Sequence, residues 1–242
     1  MSIASARRSV RPARRLTARV AACLLATLVG ATAVGAQDAV PARGLLVTGA
    51  AVAGMLDHRV DAGAGVERNA GPVFGIQLDA SRGPAWRLSV RALGGTLDAQ
   101  SRAADARDVG EIGADARLRV LSWLDARAGA TVRGFTSQLA RQRWTQLSLG
   151  ADALVAMLGG RIEGTAGAAL LPYVRVSGHE SPRLAVAASM GLRHSNRRFD
   201  LGLVYQLERY DFAAVAGVSR GEEHSALLLR AGYHIGSGRT AR

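Results

Sequence analysis

Three features of the 242-residue sequence predict an all-β chain closed into an up-and-down antiparallel barrel that spans a membrane, with about ten strands and eight as the smaller alternative. Polar and apolar residues alternate with period two along most of residues 44–236, the pattern of strands with one wet and one apolar face. Ten such segments follow one another, joined by connections that are short and longer in turn. The apolar faces are too extensive for a sheet in water, and the opposite faces too charged for a dry sandwich core. A barrel in lipid resolves both problems, because apolar faces turn outward and closure pairs every backbone group.

The chain opens with a segment built like a secretory signal. Arg7, Arg8, Arg11, Arg14, Arg15 and Arg19 form a basic n-region, residues 20–34 (VAACLLATLVGATAV) an apolar core, and Val34-Gly35-Ala36 a small-residue cleavage site before Gln37. That apolar run is shorter than the roughly 20 residues of a spanning helix. Residues 1–36 are therefore expected to be removed as a signal peptide, leaving 37–242 as the barrel domain. Cys23 lies within the apolar core instead of after it, which argues against a lipoprotein box. It is the sole cysteine, so the mature chain is expected to have no disulfide and no thiol nucleophile. Arg7-Arg8 and Arg14-Arg15 faintly match twin-arginine signals, a route for folded cargo that suits a membrane barrel poorly.

The expected strands are 44–57, 71–80, 85–97, 109–120, 124–135, 144–156, 161–175, 183–194, 198–209 and 224–236. Their lengths lie near the roughly 9–11 residues of a tilted membrane strand. The first is apolar on both faces (GLLVTGAAVAGML), so its pattern does not orient it. The fourth is the clearest, with Ile112, Ala114, Ala116, Leu118 and Val120 opposite Glu111, Gly113, Asp115, Arg117 and Arg119. The fifth repeats it, with Leu124, Ala126, Ala128, Ala130 and Val132 opposite Asp125, Arg127, Thr131 and Arg133. Leu147, Leu149, Ala151, Ala153 and Val155 line one face of the sixth; Leu201, Leu203, Tyr205 and Leu207 line one face of the ninth. Short joins fall at Ser81-Arg82-Gly83-Pro84, Leu121-Ser122-Trp123, Leu158-Gly159-Gly160 and Ser195-Asn196-Arg197. Connections 58–70, 98–108, 136–143, 176–182 and 210–223 are mostly longer. An even strand number brings both ends of the barrel to the short-turn side, which is periplasmic in such barrels.

Two constellations follow from this frame. The polar faces place Arg87, Arg91, Asp115, Arg117, Arg119, Asp125, Arg127, Arg133, Asp152, Arg161, Glu163, Arg193, Asp200, Glu208 and Arg230 in the lumen. Opposite charges in so narrow a barrel can pair across the interior and plug it; excess arginine would otherwise line a narrow, anion-preferring conduit. Aromatic residues fall near strand ends: Phe74, Phe135, Trp144, Tyr173, Tyr210 and Phe212 at the long-loop ends, Trp86, Trp123, Phe199 and Tyr233 at the short-turn ends. They are expected to form two girdles at the lipid–water boundaries. Tyr205 is the central exception.

Net charge is +12, with lysine absent and all 31 basic residues arginine. Removing the six n-region arginines leaves 25 against 19 acids, a balance of +6. Those arginines alternate with acids instead of forming a block, which argues against a nucleic-acid binder. Expected partners are outer-membrane lipid and the outer-membrane assembly machinery, with a monomer favoured and no cofactor.

Across 37–242 this pattern of alternating strands and joins resembles the superfamily of small bacterial outer-membrane β-barrels. The resemblance implies an integral outer-membrane protein without enzymatic activity, either structural or a narrow passive pore. An adhesin or ligand-binding barrel acting through loops such as 58–70, 98–108 and 210–223 is the alternative. Members usually end on an aromatic residue; here Arg230-Ala231-Gly232-Tyr233-His234-Ile235 is a partial version, followed by GSGRTAR.

Barrel enzymes are the third class. Omptin-like proteases use acidic pairs with an Asp–His pair near the outer rim; this chain lacks Asp-x-His and offers Glu222, Glu223 and His224. Adjacent strand residues face opposite sides, so only Glu222 and His224 can cooperate. Lipid A deacylase barrels carry His-x-Ser-Asn, whereas His194-Ser195-Asn196 lacks the spacer and reads as turn chemistry. His179-Glu180-Ser181 reads as loop, His58 and His234 stand alone, and the five histidines show no metal-ligand spacing.

Overall fold

The computed structural model describes residues 44–235, apart from 64, 103, 138–140, 197 and 215–216. The expected signal segment, with Cys23 and the cleavage site at Ala36, lies outside the described residues.

Ten antiparallel strands form one closed barrel: β1 (Leu46–Asp61), β2 (Val66–Arg82), β3 (Trp86–Ala99), β4 (Arg107–Leu121), β5 (Leu124–Thr136), β6 (Arg141–Met157), β7 (Ile162–Val176), β8 (Leu184–Ser195), β9 (Phe199–Asp211) and β10 (Gly221–His234). Each strand pairs with its chain neighbours, and β1 closes the ring on β10, from Thr48 opposite His234 to Asp61 opposite Gly221. Closure leaves no strand edge, the condition for backbone in hydrocarbon. At the seam the Thr48 hydroxyl donates to His234 Nδ1 at 2.8 Å, and His234 Nε2 donates to the Asn196 carbonyl at 3.0 Å. His234, isolated in sequence, pins the closure.

Alternation is realised as two faces. On β4, Ile112 is 64% exposed on the outer wall while its neighbour Glu111 is 6% exposed inside. Leu118, Leu147, Leu149, Leu201 and Leu203 also stand on the outer wall. β1, which its sequence left unoriented, turns Thr48, Ala50, Val52, Leu56 and His58 inward and Met55 outward. Its partners decide this: in register with β2 and β10, only one face of an all-apolar strand can meet their polar interiors.

All ten expected segments are strands, but several run further toward the long loops. β1 extends to Asp61, β2 starts at Val66, β6 at Arg141 and β10 at Gly221. The ladder continues past the apolar belt because pairing partners are already in register; outside lipid both faces are wet, so alternation no longer marks the strand. The turn at Leu158-Gly159-Gly160 has φ of 50°, 67° and 83°, which is why two glycines serve there. One irregularity, between Leu147 and Leu149 in the β6–β7 pairing, lets both Leu171 and Val174 face inward despite their opposite parity.

Candidate functional site: the charged lumen

The lumen divides into two halves. In the long-loop half, Arg133 of β5 reaches across the barrel. Its guanidinium lies 2.6 Å from Glu111 of β4 and 2.8 Å from Glu208 of β9, and donates at 2.5 Å to His224 Nδ1 on β10. β5 and β10 sit opposite one another in the ring, so this side chain spans the lumen. Arg91 of β3 donates to Glu111 at 2.8 Å and to Gln206 of β9 at 3.3 Å. The Tyr210 hydroxyl and the Gln146 amide complete the brace around Glu208, at 2.7 and 3.0 Å. Each carboxylate is thus met by charged or neutral donors, as burial demands.

Apolar residues pack around this brace. Leu56, Val73, Leu97, Val109, Phe135, Trp144, Val174, Tyr210 and Leu228 are buried in one cluster inside the barrel. Trp144 and Tyr210, at 1% and 0% exposure, pack at 4.8 Å between ring centroids with their planes tilted by 58°. This corrects the girdle expected from sequence: Phe135, Trp144 and Tyr210 face the lumen, not lipid, and Phe212 lies 6.3 Å from Trp144 on the inner side. Parity carried the signal, because Phe135 shares its strand face with Arg133, Trp144 with Gln146, and Tyr210 with Glu208. Phe74, Tyr173, Trp123, Phe199 and Tyr233 do stand exposed on the outer wall; Trp86 is half-buried there beside Arg82.

The short-turn half is built differently. Arg230 bridges Asp79 and Asp200, and Arg193 lies 2.5 Å from Asp200. Arg117 and Arg127 approach Asp152 at 3.4 and 3.5 Å, Arg117 also meets Asp115 at 3.3 Å, and Arg119 pairs with Asp125. These pairs lie within one strand or join strands adjacent or next-but-one in the ring, so they follow the wall. Arg87 faces Arg117 and Arg193 and has no ion pair among the described residues; Glu163 lies beside Arg193 in register. Arg161, expected inside, is exposed at the β6–β7 turn, where its carbonyl accepts from His194 Nδ1 at 2.7 Å. Between the halves lies a polar cavity of about 100 Å³ lined by Gln77, Arg91, Arg117, Arg127, Gln146 and Gln206.

The structure brings together three residues that sequence separated. His58 is paired in register with His224, and His58 Nε2 donates to Glu222 at 3.0 Å; ligand atoms of all three lie within 4.8 Å of one another. The grouping has the composition of a metal site, but its hydrogen bonds oppose one. Arg107 donates to His58 Nδ1 at 3.3 Å as Arg133 does to His224 Nδ1. Arginine can only donate, so both Nδ1 atoms accept, each Nε2 carries the proton, and neither presents a lone pair there to a cation. Arg220 on Glu222 adds further positive charge. The imidazoles instead act as flat packing units, His58 stacked on Phe135 at 4.7 Å and edge-on to His224 at 4.4 Å. At the opposite end, the Asn196 side-chain oxygen accepts from the Arg198 and Phe199 amides at 2.8 Å, the turn role expected of it.

No family model matches this chain, and no curated protein is a match. Among solved structures, it is similar to the outer membrane protease OmpT from Escherichia coli, with 8% identity over 79% of this chain and 96% of that one and a TM-score of 0.47. It is similar to the translocator domain of autotransporter NalP from Neisseria meningitidis, with 13% identity over 90% and 97% and a TM-score of 0.41. An anion-selective porin from Comamonas acidovorans aligns at 16% identity over 70% of this chain but 55% of its own, with a TM-score of 0.34. The architecture itself places the chain: ten strands closed without an edge, leucine, isoleucine and aromatic side chains facing out, charges and polar side chains facing in. The chain thus has the architecture of a membrane-spanning β-barrel, and the likenesses to solved structures are likenesses of fold alone.

Proposed function

We propose that this protein is a sealed, structural outer-membrane barrel and not a conduit or an enzyme. The observation that carries the reading is the cross-lumen brace of Arg133, Glu111, Glu208 and His224, packed against Trp144, Tyr210 and Phe135. A hydrated ion entering from the long-loop side would have to displace an apolar cluster and separate largely buried ion pairs. The charged short-turn half is then a blind vestibule. Catalysis is not assigned, since Glu222 and His224 are buried and engaged by Arg220, His58 and Arg133. Binding through loops is weakened by the strands themselves, which take up most of connection 58–70 and half of 136–143.

Planar-bilayer conductance tests this reading. The mature protein is expected to give no steady channel, and Trp144→Ala combined with Arg133→Ala to give one. Steady ion flow through the unaltered barrel would overturn the seal and restore the narrow-conduit reading.

A further inference from the structure

Near the long-loop end of the outer wall, three glycines stand side by side on neighbouring strands. Gly94 of β3 is in register with Gly110 of β4, and Gly110 with Gly134 of β5. Strand packing does not require glycine at these positions. A Cβ at Gly110 would meet nothing within 4 Å, and at Gly94 or Gly134 only ordinary contacts at 3.6 and 4.0 Å. At Gly75, by contrast, a Cβ would strike the Ala92 carbonyl at 1.9 Å. The effect of the three glycines is a recess in the outer wall beside Ile112 and Val132.

The recess belongs to a groove of about 800 Å³. One pair further toward the barrel's middle its lining is apolar, with Ala92, Ile112 and Val132 in a row. On the β6 side it meets Arg141 and Arg143, and Arg143 is in register with Gly134. Both arginines are exposed, and neither has an ion pair among the described residues. Two other outward arginines at this end are neutralised, Arg68 by Asp57 and Arg209 by Asp211. An apolar slot open to lipid, headed by two uncompensated guanidinium groups, is complementary to an amphiphile with an anionic phosphate. Guanidinium binds phosphate oxygens by paired, charge-assisted hydrogen bonds.

We propose that this groove seats one anionic, phosphate-bearing lipid of the surrounding leaflet, with an acyl chain along the glycine floor and the phosphate on Arg141 and Arg143. The proposal rests on the membrane placement of the barrel and is independent of whether the lumen conducts.

Native mass spectrometry of the mature barrel in detergent, with added dioleoyl phosphatidylglycerol or dioleoylglycerol, tests it. One phosphatidylglycerol is expected to be retained in preference to the phosphate-free lipid. Arg141→Gln with Arg143→Gln is expected to lower that retention roughly tenfold, the scale of losing charge-assisted hydrogen bonds. Filling the floor with Gly110→Leu and Gly134→Leu should lower it while both arginines remain, and Arg59→Gln, on the opposite wall, should leave it unchanged. Equal retention of the two lipids, or equal retention across all variants, would overturn the proposal. Each variant's heat-dependent gel shift is recorded alongside. A shifted barrel that does not discriminate sinks the groove alone, whereas an unshifted parent protein sinks the membrane reading beneath it.

Discussion

The two halves of the lumen hold similar charged residues and treat them oppositely. In the long-loop half, Arg133 and Glu111 each have 6% side-chain exposure and pair on adjacent strands, Arg133 also reaches Glu208 and His224 across the barrel, and apolar side chains fill the space between. In the short-turn half, Arg117 and Arg119 keep about a quarter of their side chains exposed, and their partners follow the wall. A charge surrounded by hydrocarbon must be paired by whatever element can reach it, so the first half is a brace. In the second half the carboxylates Asp79, Asp152 and Asp200 are equally buried, at 5%, 3% and 0%, but their arginines reach them along the wall and keep part of their side chains exposed. How far each arginine must reach, more than residue type, separates the two halves.

That contrast can be broken by substitution. Arg133→Leu leaves Glu111 and Glu208 buried without their shared cation and should cost about 3–5 kcal/mol; denaturant unfolding in micelles would show it, and an unchanged midpoint would refute the brace. Trp144→Ala opens a cavity in the same half, with an expected loss of about 3 kcal/mol and leakage in the bilayer assay. Arg117→Leu, in the wetter half, should cost about 1–2 kcal/mol. Leu118→Ala, beside it on the lipid face, should cost under about 0.5 kcal/mol, because lipid tails replace the lost contacts. Equal losses for that pair would contradict the assignment of inner and outer faces. Arg119→Ala should change stability least among the lumen arginines, by about 0.5 kcal/mol, with the effect shrinking further in high salt.

Local pattern and tertiary arrangement contributed separately. Strand number, order and the inner or outer face of β4, β5, β6 and β9 were legible because a period-two alternation is a property of consecutive residues. Most of the lumen charges were legible for the same reason. The inward turn of Phe135, Trp144 and Tyr210 follows from the same parity rule, whereas their nearness to strand ends points to the girdles instead. Strand extensions toward the long loops left no trace in alternation, since water on both faces removes the selection for it.

The sequence by itself determined a closed barrel of about ten strands with apolar residues outside and charged residues inside, because lipid and lumen impose alternate side chains on every strand. Only the tertiary structure decided which charges meet. Arg133 joins Glu208 and His224 because a ring places β5 opposite β9 and β10, and His58 meets His224 because β1 closes on β10. The orientation of β1 was decided in the same way, by partners and not by its own residues. Such contacts depend on register between strands far apart in the chain, a quantity no local spacing encodes.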